Sequence, residues 1–159
     1  MLEKARHGQW RHQHPHALEL DRAPRVIVAE DEPDVRQMVV VALRGMGYDI
    51  IEARTGAELL DHLGDALLDG DPQARPDAIV SDIRMPGLTG MEILAGLRHA
   101  EWPTAIVLMT AYADRATRDE AKRLGVDAFF EKPFDIDDLV TALVNVTPLP
   151  PRAPIGRGR

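Results

Sequence analysis

Cysteine is absent from all 159 residues, which excludes a disulfide frame, a thiolate metal site and a cysteine nucleophile, and makes a reducing, cytoplasmic setting the expectation. Long apolar runs are also missing. The uncharged apolar run Pro103 to Ala113 falls far short of the roughly 20 residues that span a bilayer. Lys4 and Arg6 are followed by no apolar segment, so no secretory signal is expected. Positive charge is scarce in the middle of the chain, where residues 26–147 hold 11 Lys/Arg against 23 Asp/Glu, a net of −12. Contacts to nucleic-acid phosphates need clustered Lys and Arg, so neither direct nucleic-acid binding nor a membrane partner is expected. Internal repeats and heptad series are lacking too.

What is present, 45% apolar and 28% charged residues, suits one compact domain with tails. Residues 1–24, with His7, His12, His14, His16 and two prolines, read as an N-terminal arm whose histidines are solvated side chains rather than metal ligands. Residues 148–159 hold four prolines, three arginines and two glycines and read as a tail. Between them, over 25–147, short apolar runs alternate with helical patterns, the signature of βαβ units and a parallel sheet covered on both faces. Strands are expected at Arg25–Glu30, Tyr48–Glu52, Asp77–Asp82, Thr104–Met109 and Asp127–Glu131. The first helix opens at Pro33, turns Val35, Met38, Val39, Ala42, Leu43 and Met46 inward, and stops at Gly45 and Gly47. The second begins with the capping box Thr55-Gly56-Ala57-Glu58 and buries Leu60, Leu63 and Leu67. The third, about Gly90 to His99, faces Ile93, Leu94 and Leu97 inward. The fifth starts at Asp135, with Ile136, Leu139, Val140, Leu143 and Val144 inward. Helix four, Asp114 to Leu124, is mostly charged residues and alanine, with a thin stripe of Ala116, Ala121 and Leu124, and should be the least firmly anchored.

Four of the five strands finish in a functional group: Glu30-Asp31, Asp82, Thr110 and Lys132. In an open parallel sheet the carboxyl ends of the strands converge on one crevice, so these side chains become neighbours. Carboxylates packed at about 4 Å repel by about 4 kcal/mol per pair at an effective dielectric of 20, and a hard divalent cation relieves that. Oxygen-only ligands suit Mg²⁺. A carboxylate beside such an ion can attack phosphorus, and the hydroxyl of Thr110 and ammonium of Lys132 would meet the charges of the resulting aspartyl phosphate.

The motifs VIVAEDEPDVR (Val26–Arg36), IVSDIRMPGLTG (Ile79–Gly90), IVLMTAYAD (Ile106–Asp114) and FFEKPF (Phe129–Phe134), in this order and spacing, resemble those of two-component response-regulator receiver domains, of the single-domain chemotaxis-regulator kind. The resemblance implies a flavodoxin-like (βα)5 doubly wound fold with a five-stranded parallel sheet in the order 2-1-3-4-5. It implies Mg²⁺ on Glu30, Asp31, Asp82 and the Arg84 carbonyl, phosphorylation of Asp82, and phosphoryl binding by Thr110 and Lys132. Phe129 would change rotamer on activation, Lys132-Pro133 would be cis, and Arg84 and Tyr112 would modulate dephosphorylation. The acid pair here is Glu-Asp, where Asp-Asp is commoner in the family. The implied partners are a sensor histidine kinase or phosphotransfer protein, and a downstream protein on the face of helix four, strand five and helix five, where Arg115, Arg118, Lys122 and Arg123 offer charge. Phosphorylation-linked homodimerisation is compatible with this.

Such a protein is not an enzyme in the turnover sense. Three alternatives carry different chemistry: a phosphate carrier or sink in a relay, a receiver-like binding module that is never phosphorylated, and an aspartyl-phosphate phosphohydrolase. The binding module has no need of the acids, Asp82 and Lys132. The hydrolase would want a further acid/base where Arg84 stands, and a cap domain.

Overall fold

The chain's structure, a computed structural model, describes residues 22–151; the four histidines of the arm and most of the Pro/Arg-rich tail lie outside these. Five parallel strands form one sheet in the order β2-β1-β3-β4-β5, as expected: β1 (Arg25–Ala29), β2 (Asp49–Ala53), β3 (Ala78–Asp82), β4 (Ala105–Thr110) and β5 (Ala128–Glu131). Between and after them run α1 (Pro33–Met46), α2 (Gly56–Asp69), α3 (Gly90–His99), α4 (Arg115–Arg123) and α5 (Ile136–Val146), with a short 3₁₀ turn at Pro72–Ala74.

The alternation of strand side chains divides the core into two layers. Ile27, Ile79, Ile106 and Leu108 join Leu59, Leu63, Ile93, Leu94 and Ala121 of α2, α3 and α4 on one face. Val26, Val28, Val80, Val107 and Met109 join Val39, Leu43, Leu139 and Leu143 of α1 and α5 on the other. α4 buries only Ala121, with Leu124 half-buried and Ala116 exposed, so the expected weak anchoring holds with a thinner stripe still.

Two helices are rotated from the expected phase. α1 buries Val39, Val40 and Leu43 while Met38 and Met46 are exposed, and Gly45 lies inside the helix, which ends at Gly47 in the left-handed conformation. α2 buries Gly56, Leu59, Leu63 and Ala66, whereas Leu60 and Leu67 face outward, 51% and 63% exposed. Gly56 sets this phase. A Cβ there would lie 2.1 Å from the carbonyl oxygen of Leu88, so only glycine lets α2 meet the β3–α3 loop, and i+3, i+7 and i+10 follow it inward. The capping box at Thr55 is only half formed: Thr55 accepts from the Glu58 N–H, but Glu58 accepts from Arg54 N, not from Thr55 N. The complete box stands at Thr89 and Glu92.

Residues 22–24 are tied to the sheet's lower edge, where Arg22 binds Asp77 and the carbonyl of Gln73, and the Pro24 carbonyl accepts from Asp49 N. Leu149, beyond α5, packs against the α1–α5 layer. Among the described residues no helix is long and apolar enough to cross a membrane.

Candidate functional site

The sheet ladder runs one residue past several strand ends: Glu30 N donates to Ala53 O (3.0 Å), Ile83 N to Met109 O (2.9 Å) and Lys132 N to Thr110 O (2.7 Å). Backbone hydrogen bonds therefore fix Glu30 and Lys132 at the strand ends that form the crevice, around the last residues of β3 and β4. A Cβ on Gly90 would come 2.7 Å from the Asp82 carbonyl oxygen, so a glycine at the start of α3 lets the chain return directly beneath the nucleophile candidate.

Glu30, Asp31 and Asp82 each present a carboxylate oxygen, all within 4.8 Å of one another. Glu30 is fully buried, Asp82 is 6% exposed and Asp31 faces solvent, so two acids line the floor and one the mouth. Lys132 Nζ donates to Asp82 Oδ2 at 2.6 Å and lies 2.7 Å from Glu30 Oε2. Asp82 Oδ1 accepts from Arg84 N (2.9 Å), and Glu30 Oε1 from Glu32 N (3.1 Å). Lys132 meets Glu30 Oε2 as an ion pair off the line of a hydrogen bond, which leaves that buried oxygen without an aligned donor.

Burial, with a smaller contribution from the Asp82 charge, pushes the Glu30 carboxyl up to about 7, against the opposing pull of Lys132 and the Glu32 N–H. Burial works to lower Lys132, but Asp82 and Glu30 outweigh it and hold the ammonium above its usual range. A charged lysine is thus clamped between two buried acids. The oxygen-only donor set, the buried oxygen lacking a donor and the solvent-facing third acid fit a hard divalent cation.

The other expected residues are placed as follows. Thr110 is buried at the end of β4, but its hydroxyl accepts from Tyr112 N (3.1 Å) and donates to Tyr112 O (3.3 Å), with no bond to Asp82. Arg84 and Tyr112 are exposed and stacked on each other, guanidinium to ring centroid 4.6 Å, at the rim. Phe129 is half-buried on β5, in register with Leu108 of β4. Lys132-Pro133 is cis, as expected.

Two arginines escaped the reading of the sequence. Arg36 reaches back from α1 to donate to the Glu30 carbonyl (2.9 Å) and pairs with Glu52 of β2 (3.4 Å), which steadies the acid turn. Arg118, read only as a charge for a partner, lies over the Phe129 ring (5.4 Å) and binds Glu131 (2.7 Å). Arg36 carries a signal, being on the inward stripe i−3 to Val39. Arg118 carries none, because its partners lie on another element.

A doubly wound parallel sheet with its acids and lysine gathered at the carboxyl edge, where the strand order reverses between β1 and β3, defines the flavodoxin-like class of α/β proteins. Within that class the chain belongs to the response regulator receiver domains of two-component systems, whose family model it matches over residues 26–144. It is 29% identical over 125 residues to sporulation initiation phosphotransferase F of Bacillus subtilis, covering 79% of this chain and 94% of that protein. It is 36% identical over 115 residues to the regulatory protein AtoC of Escherichia coli, but spans only 23% of AtoC's length. Among solved structures it is similar to chemotaxis protein CheY4 of Vibrio cholerae, with a TM-score of 0.65 and 30% identity, covering 78% of this chain and 98% of that one.

Proposed function

We propose that this receiver domain takes a phosphoryl group from a histidine kinase or phosphotransfer protein onto Asp82 and signals through a protein-binding face. The observation that carries the reading is the 2.6 Å bond from Lys132 to Asp82 inside a cluster of three carboxylates. Glu30, Asp31 and Asp82 are the residues that would hold Mg²⁺, together with the Arg84 carbonyl. Bound there, such an ion would supply positive charge to neutralise phosphoryl oxygens.

The chain's own residues do the rest. Arg84 N, bonded to Asp82 Oδ1, fixes the carboxylate's orientation, and Lys132 supplies positive charge where phosphoryl charge arrives. As the Asp82 O–P bond forms, the donor's P–N bond breaks and the departing imidazole keeps the electron pair and binds a proton. Thr110 meets a phosphoryl oxygen once its hydroxyl leaves the Tyr112 backbone. Arg84 and Tyr112, stacked over the mouth, slow the approach of water to the acyl phosphate. The protein is then labelled once per cycle and is not a turnover enzyme. A second reading, as a phosphate carrier in a relay, is supported by the coverage of 94% of a protein named as a phosphotransferase.

Asp82→Asn tests both, since each requires the acceptor. Labelling by acetyl phosphate with Mg²⁺, followed by intact mass, should vanish in this variant while the fold persists. Undiminished labelling would remove Asp82 from the role.

A further inference from the structure

Glu30 and Asp31 share one peptide group, and the orientation of that group decides where the two carboxylates start from. Four contacts hold Glu30. Its N–H donates to Ala53 O of β2 (3.0 Å), its Oε1 accepts from Glu32 N (3.1 Å), and Lys132 lies 2.7 Å from its Oε2. The fourth is on the carbonyl, which accepts from Arg36 Nη1 at 2.9 Å. That carbonyl belongs to the planar peptide linking Glu30 to Asp31, so the arginine fixes the plane from which the Asp31 side chain leaves. Asp31 faces solvent, and its carboxylate takes its direction from this backbone rather than from packing.

A guanidinium beside carboxylates that are to hold a cation opposes binding by Coulomb repulsion. Its place there calls for a compensating role, and the geometry supplies one. The planar fork of Arg36 serves two partners at once, Nη1 on the Glu30 carbonyl and Nε 3.4 Å from Glu52 Oε1 on β2. Glu52 thus both steadies the guanidinium and offsets its charge, while Arg44 lies 3.8 Å from the other Glu52 oxygen. The Arg36 side chain is largely buried, so the fork is held in one arrangement. We propose that Arg36 is a positioning residue for the divalent-cation site: it holds the Glu30–Asp31 peptide, and with it the acid pair, in the arrangement that binds Mg²⁺. The proposal rests on the Mg²⁺ site of the function proposed above. Its signature is a sign. If Arg36 acted only as a nearby charge, removing it would tighten Mg²⁺ binding, whereas removing a clamp on the ligands weakens binding, by about 10–100-fold for the loss of an outer partner of a metal site.

The test is Mg²⁺ titration of the full-length chain by calorimetry, with no phosphoryl donor. In Arg36→Met the Kd for Mg²⁺ should rise by about tenfold or more. Arg44→Met, which takes an equal charge from Glu52 rather than from Glu30, should leave the Kd within about twofold of wild type. Should Arg36→Met fail to fold, Arg36→Lys takes its place: an ammonium keeps the charge but does not reproduce the planar fork, so affinity should again fall. Asp31→Asn separates the two ways of failing. An unaltered Kd in that variant would remove the ion from the carboxylate cluster, and the proposal would fall with the site. Weakened binding in Asp31→Asn, together with a Kd unchanged or lowered in Arg36→Met (or in Arg36→Lys where that variant stands in), would overturn the positioning role alone. An equal rise in Arg44→Met would assign the effect to the loss of charge around Glu52 and overturn it as well.

Discussion

Lys132 and Asp82, 50 residues apart in the chain, are joined by a 2.6 Å hydrogen bond at the carboxyl edge of the sheet, and the same ammonium neutralises Glu30. The lysine is thus structural as well as a candidate for phosphoryl binding. Lys132→Met would leave two buried carboxylates without their cation, a situation that costs about 3–5 kcal/mol when one partner of a buried pair is removed. Urea unfolding at pH 8 in EDTA should show a loss of this order, and a loss under about 1 kcal/mol would show that the acids do not depend on the lysine.

The strand-end chemistry was legible because β1, β3 and β4 are short apolar runs that each stop at a polar residue, and parallel topology leaves one place for those ends to meet. The helix phases were not. In α2 the sequence LLDHLGDALLD offers two overlapping leucine stripes, and what chooses Leu59 over Leu60 is the contact of Gly56 with the Leu88 backbone, which belongs to another part of the chain. In α1 the inward stripe contains Arg36, whose partners are the Glu30 carbonyl and Glu52, so a search for apolar spacing passes over it. The resting position of the Thr110 hydroxyl, on Tyr112, was likewise invisible, since it depends on the path of the β4–α4 loop.

Removing one acid should separate repulsion from metal binding. Asp31 is exposed, so Asp31→Asn should raise metal-free stability by less than about 1 kcal/mol while removing an anionic ligand. Wild type should gain about 2.7 kcal/mol at a Mg²⁺ concentration 100-fold above its Kd, reversed by EDTA. Thermal unfolding with and without Mg²⁺ should show most of that gain lost in the variant. A full Mg²⁺ response in Asp31→Asn would place the ion elsewhere.

Two glycine substitutions should have opposite signs. A Cβ at Gly45 meets nothing within 4 Å in the interior of α1, so Gly45→Ala should stabilise by about 0.5–1 kcal/mol through helix propensity. Gly56→Ala forces backbone apart at Leu88 and should cost about 1–3 kcal/mol. Denaturation midpoints of the two variants decide this, and an equal effect of the two would refute the packing account of α2.

Tyr48 gives a dependence on pH with a defined sign. Its buried hydroxyl donates to the Thr147 carbonyl at 2.6 Å, and burial pushes its pKa up to about 12 from 10.0. Between those values the folded state holds a proton that the unfolded state has released, so stability present below pH 10 is lost as pH rises toward 12. Two units correspond to roughly 2–3 kcal/mol. Tyr48→Phe should cost about 1–2 kcal/mol at pH 7 by leaving Thr147 O without its donor, and should flatten the decline between pH 10 and 12. An unchanged alkaline slope in that variant would assign the decline to other groups.

The last prediction concerns Arg118 and Phe129. Arg118 is half-exposed, lies over the Phe129 ring and is tied to Glu131 of the same strand, so the aromatic is held half-buried by a cation from the least anchored helix. An exposed ion pair and an exposed cation–π contact contribute at most about 1 kcal/mol each. A hold that weak can be overcome by a phosphoryl group that draws the Thr110 hydroxyl away from Tyr112 and vacates space beside β4. Phe129 should then turn inward, and Arg118, losing its ring, should let α4 shift. Arg118→Ala should populate the inward ring without a phosphoryl group, by about fivefold for 1 kcal/mol. Thr110→Ala should leave Asp82 labelled while the ring stays outward. Fluorine NMR of fluorophenylalanine at position 129, with hydrogen exchange over residues 110–135, with and without beryllofluoride, reads both. Exchange changes confined to α1 and α2, or a Thr110→Ala response identical to that of wild type, would separate Phe129 and α4 from the output of this receiver.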